Sequence, residues 1–88
     1  MDKRQEEIRR GHEAKRITED PLFAEAFDTY QNALITAWKN SGAHSADGRE
    51  RLWLALQIAG KVRSHFERLI TTGRMAQKQI EELYERAD

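Results

Sequence analysis

His12, His44 and His65 are the side chains of this sequence best suited to proton transfer or metal binding near neutral pH, and their spacing serves neither. No two stand at the i, i+4 interval that puts a pair of imidazoles on one helix face, and no His-Glu-x-x-His run occurs. His65 and Glu67 are two residues apart, which points them to different faces. The carboxylates are interleaved with cations: Glu6, Glu7 and Glu13 with Arg9, Arg10 and Lys15, then Glu81, Glu82 and Glu85 with Lys78 and Arg86. That is the pattern of a solvated helix surface. Neither a glycine-rich phosphate loop nor a nucleophile elbow is present. Cysteine is absent, so thiolate sites and disulfides are excluded. The expectation is a non-catalytic protein with no cofactor and no metal.

The basic residues allow one further chemistry. Residues 48–78 hold Arg49, Arg51, Lys61, Arg63, Arg68, Arg74 and Lys78 against only Glu50 and Glu67, and these seven are candidate phosphate contacts. The formal net charge of the chain is zero, however, and residues 18–47 carry five acids and one lysine able to pair with them. Charge pairing within or between chains is the first expectation, and nucleic acid a lesser alternative partner. Trp38 and Trp53 flank a polar stretch. They suit either a stack across a helix turn or a partner's hot spot.

The elements that must position these residues are helical. Hydrophobic residues make up 39% and charged residues 34%, with a single proline, the profile of amphipathic helices. No apolar run approaches the ~18–20 residues of a membrane span, and the N-terminus lacks the apolar stretch of a signal peptide. The first helix is expected at 3–17, polar and weakened by Gly11. Asp20 suits an N-cap and Pro21 a first helical position. From there Phe23, Ala26, Phe27, Tyr30, Ala33, Leu34, Ala37 and Trp38 recur at three- and four-residue steps, an amphipathic helix over 21–39. "NSGAHSAD" reads as a loop with glycine at the cap. Asp47 reads as the N-cap of the next helix, with Glu50 completing a capping box.

"LITTGRMAQ", residues 69–77, looks like a stop, yet the phase runs on through it. Leu52, Ala55, Ala59, Val62, Phe66, Leu69, Gly73, Ala76, Ile80, Leu83 and Ala87 alternate steps of three and four. A turn at Gly73 would have no reason to preserve that phase, and a small residue there lets a neighbouring helix come close. One helix is expected over 48–86, about 58 Å long. The fold class is therefore all-α: an elongated antiparallel helical hairpin in a single domain, its first arm broken at Pro21 and its second continuous. Residues 21–39 would cover the near half of the long helix, with Phe23, Phe27, Tyr30 and Trp38 closing the hairpin, and residues 3–17 the far half. The far half offers more apolar surface than 3–17 can match. Leu52, Trp53, Leu56, Phe66, Leu69, Ile80, Leu83 and Tyr84 are the expected oligomer or packing interface, with another copy as the partner.

Two stretches, "EDPLFAEAFDTYQNALITAWKNS" and "DGRERLWLALQIAGKVRSHFERLITTGRMAQ", carry a resemblance. Pro21, Phe23, Ala26 and Phe27, then Trp38, then Gly48 to Trp53 match a Pro-x-Phe-x-x-Ala-Phe start, a helix-end tryptophan and a Gly-Arg-Glu-x-Leu-Trp opening. Over roughly residues 19–80 the chain resembles small helical proteins of proteobacterial phages and prophages, to which no activity is assigned. The resemblance implies a phage setting, a cytoplasmic or virion-associated location in a bacterial host, and an accessory or structural part such as virion assembly. Two rival expectations stand beside it: a small nucleic-acid-binding accessory protein, and a monomeric binder or inhibitor of a host protein. A membrane partner is not expected.

Overall fold

The computed structural model describes residues 2–42 and 46–87, and all of its elements are helices: α1 (Lys3–Glu19), α2 (Pro21–Asn40) and α3 (Ala46–Ala87). The protein is all-α. The boundary between α1 and α2 is built as its residue types dictate. Asp20 adopts an extended backbone, φ −63° and ψ 122°, and its Oδ1 accepts from the N–H groups of Leu22 and Phe23, both at 3.0 Å. Pro21 follows at a position where a missing N–H leaves nothing unsatisfied. The loop between α2 and α3 differs from expectation. The C-cap of α2 is Ser41, extended at φ −76° and ψ 108°, and no glycine among the described residues takes positive φ. Ser41 donates from its N–H to the Trp38 carbonyl at 3.3 Å and from Oγ to the same oxygen at 2.6 Å. α3 begins at Ala46, which places Asp47 inside its first turn instead of before it. His44 lies outside the described residues.

α3 is one helix of 42 residues and passes through Gly73 without a break. Contacts divide the chain into two compact units: α2 with α3 as far as Arg63, and α1 with α3 from Ser64 onward. The α2–α3 unit is a helical hairpin. Trp38 and Ser41 meet Arg49 at one end, while Phe27 and Asp28 meet Arg63 at the other. Its seam is lined by half-buried Phe23, Phe27, Leu34, Trp38, Leu52, Ala55, Leu56 and Ala59. Tyr30 does not help to close it, being 72% exposed, and Val62 is 44% exposed. α2 and α3 each carry two apolar rows, and Tyr30 and Val62 fall in the rows that face away from this seam. Next to Val62, the Arg63 guanidinium lies 4.6 Å from the Phe27 ring centroid and covers that ring.

In the other unit α1 runs antiparallel to α3. Arg4 Nε donates to Gln79 Oε1 at 3.2 Å, and Gly11 lies against Gly73. The four buried residues among those described are Gly11, Ala14, Gly73 and Ala76. They come from two words of the same form, "GHEA" and "GRMA", in facing helices. A Cβ built on Gly73 would stand 3.0 Å from the Glu7 carbonyl oxygen and 3.1 Å from the Gly11 Cα. The helices thus touch backbone to backbone, and close dispersion contact replaces the usual large core side chains. α1 starts at Lys3, opposite the region of Gln79; Leu83 shares an open groove with Arg4 and stays 51% exposed.

Candidate functional site

The charged side chains sort into those that hold the helices and those that stay free. Arg49 belongs to the first group. Its Nη1 donates to the Ser41 carbonyl at 2.7 Å and to the Trp38 carbonyl at 3.2 Å, and its guanidinium lies 4.6 Å from the Trp38 ring centroid. A cation placed on the last carbonyls of α2 opposes the negative end of that helix. This Trp38–Arg49 stack occupies the position where a Trp38–Trp53 stack is one expectation from the sequence, and Trp53 stays 49% exposed. Arg63 is also engaged, donating from Nη2 to Asp28 Oδ1 at 3.0 Å while lying 4.6 Å from the Phe27 centroid. Two of the seven candidate phosphate contacts are therefore committed to the α2–α3 hairpin. Arg51, Lys61, Arg68, Arg74 and Lys78 are exposed.

On α1 the pattern is local pairing. Arg9 bridges Glu6, and Arg16 Nη2 donates to Glu13 at 2.8 Å. Hydrogen bonds from Arg9 and Arg16 hold the Glu6 and Glu13 carboxyls below the ordinary carboxylate range, with the cationic charge adding to the effect. Both pairs are solvent-exposed and contribute little to stability. No group of three His, Asp or Glu residues able to hold a metal ion occurs among the described residues.

The expected interface residues divide likewise. Leu52, Leu56, Phe66, Leu69 and Ile80 are half-buried; Trp53, Leu83 and Tyr84 are exposed, Tyr84 at 73%. Phe66 and Leu69 share an open groove with Ala14 and Ile17 of α1, so their cover comes in part from the same chain. Sequence reasoning assigns no role to Leu22, Leu54 and Ile58, yet these are exposed at 73%, 46% and 62%. A signal for them exists: Leu54, Ile58 and Val62 fall at successive i, i+4 steps, a second apolar row beside the seam. On α2, Leu22, Ala26, Tyr30, Ala33 and Ala37 form a comparable outward row, every member exposed.

A second feature that sequence reasoning misses is a groove of about 580 Å³ beside the Gly11–Gly73 contact, lined by His12, Lys15, Ile70, Arg74, Gln77, Lys78 and Glu81. A pair of packed helices ordinarily offers scarcely any concavity. The two glycines make the difference, since neither helix carries a side chain at the crossing.

Fold and surface define an all-α protein of paired helices that displays apolar rows and, beside the glycine crossing, a cation-lined groove. No helix among the described residues is long and apolar enough to cross a membrane. No protein-family model, no curated protein and no solved structure matches the chain.

Proposed function

We propose that this is a non-catalytic interaction protein that works as a homo-oligomer, encoded by a phage or prophage and acting in virion assembly or a related accessory role. The observation that carries the reading is the poverty of the core. Ala14 and Ala76 are the only buried hydrophobic residues among those described, and no large side chain is fully enclosed. Leu22, Tyr30, Trp53, Leu54, Ile58 and Tyr84 meanwhile stand in solvent. Covering a leucine or isoleucine contributes about 1.5–3 kcal/mol, so a chain this exposed gains much from a partner.

A second copy is the partner best matched to the α2 row. α2 contains only Glu25, Asp28 and Lys39 as charged residues, none of them in the row Leu22, Ala26, Tyr30, Ala33 and Ala37. Such a stripe offers no charge for an oppositely charged protein to recognise. It is also self-complementary. Two copies placed antiparallel seat Tyr30 of each over Ala26 of the other, and Leu22 beside Ala33, large against small in an isologous contact. The phage setting rests on the resemblance of residues 19–80 and on nothing else.

Light scattering after size exclusion tests the oligomer directly. The expected mass is that of a dimer or a higher species, and Ala33→Glu, an exposed position on its own helix, is expected to return it to a monomer with unchanged helicity by circular dichroism. A monomeric wild type at all concentrations would overturn the reading.

A further inference from the structure

The groove beside the glycine contact takes no part in the apolar rows, and its chemistry is different. Its floor is the bare backbone at Gly11 and Gly73, with half-buried Ile70 alongside. Cations line it from both helices, Lys15 from α1 and Arg74 and Lys78 from α3, with His12 of α1 alongside. Elsewhere in the structure Arg9, Arg16 and Arg63 are paired with carboxylates, and Arg49 is bonded to carbonyls. The side chains of Lys15, Arg74 and Lys78 have no such partner within the described residues. Glu81, the groove's one carboxylate, accepts instead from Gln77 on its own helix at 3.3 Å.

Three unpaired cations held around one groove repel one another, and an anion between them relieves that repulsion. A group that engages donors from two facing walls needs several acceptor oxygens, which favours phosphate over a single carboxylate. Arg74 can present its planar fork to two oxygens, while the lysines act as point charges. The space exceeds what an isolated ion fills, and Ile70 with the lysine stems gives it an apolar side fit for a sugar or base. We propose that this groove binds the phosphate groups of a nucleotide, either free or within a single strand. Of the residues that carry the site, Arg74 and Lys78 are legible as cations in the sequence. Lys15 and His12 join them only through the crossing.

Two probes are used on the full chain at low salt: ATP, followed by calorimetry, and a short labelled single-stranded oligonucleotide, followed by anisotropy. Lys15→Gln, Arg74→Gln and Lys78→Gln are each expected to weaken binding about tenfold, the scale of one charge-assisted hydrogen bond. Arg51→Gln and Lys61→Gln, exposed on α3 and not among the residues that line the groove, are expected to leave it unchanged. Saturable binding of ATP with affinity similar to the strand assigns the site to free nucleotide. A strand bound far more tightly, with an affinity falling in salt by a log–log slope of about −0.7 per phosphate neutralised, assigns it to single-stranded nucleic acid. Failure of both probes to bind would overturn the proposal. So would equal losses in the Arg51 and Lys61 variants, or equal affinity for a glutamate-rich peptide. All five variants lie on exposed positions, and circular dichroism checks that their helicity is retained.

Discussion

At Gly73 two effects oppose each other, and the structure decides which is larger. Alanine in a helix interior is favoured over glycine by about 1 kcal/mol. Its methyl at Gly73 would meet backbone of α1 at 3.0 and 3.1 Å, and at Gly11 it would meet the Leu69 carbonyl oxygen at 2.9 Å. Backbone cannot rotate aside as a side chain can, so α1 and α3 must separate, a kind of overpacking that costs about 1–3 kcal/mol. Gly11→Ala and Gly73→Ala are therefore expected to lower stability in urea melts, Gly11→Ala the more. Gly60 is the internal control: a Cβ added there would meet nothing within 4 Å, and Gly60→Ala is expected to raise stability by about 0.5–1 kcal/mol. A gain at Gly73 matching the gain at Gly60 would refute the close crossing. The sequence shows Gly73 as a small seam residue but Gly11 only as a weak point of its helix. The role of Gly11 emerges when "GHEA" and "GRMA" are set side by side, and only the antiparallel pairing of α1 with α3 does that.

For whole elements, the local signals are the most legible. Proline after aspartate places the start of α2, and the ends of α1, α2 and α3 fall within two residues of the expected limits. Continuity through Gly73 follows from phase alone. Less legible is which side of each helix meets which neighbour, because α2 and α3 each carry two apolar rows and a wheel does not rank them. Tyr30 and Val62, inward by periodicity, stand outward for that reason. Arg49 and Arg63 read as surface cations, since a stack on Trp38 or Phe27 needs a partner from a distant segment. The cap of α2 gives a direct check at this scale. Asp20→Ala removes the acceptor for two N–H groups and is expected to cost about 1 kcal/mol. Asp20→Asn, which keeps the acceptor oxygen, should recover most of that loss. Equal losses in both variants would show that the charge of Asp20, not the cap hydrogen bonds, is what matters.

For the molecule as a whole, the question is where stability comes from when no large side chain among the described residues is fully enclosed. An 88-residue chain is near the size at which one core becomes marginal, and among the described residues the enclosed ones are two glycines and two alanines. Each methyl of such a core contributes about 0.8 kcal/mol on burial, far less than a leucine in the same place. If folding draws on surfaces joined between copies, then association and folding share one free energy, and mass action must appear in the melting temperature. Thermal unfolding of the wild type is expected to shift upward as chain concentration rises, while Ala33→Glu should melt at a lower temperature that does not move with concentration. Adding salt should leave the wild-type dependence intact, because the α2 row carries no charge to screen. A wild-type midpoint indifferent to concentration would mean that the half-buried seams suffice on their own, and the exposed rows of α2 and α3 would then lose their claim to a second copy.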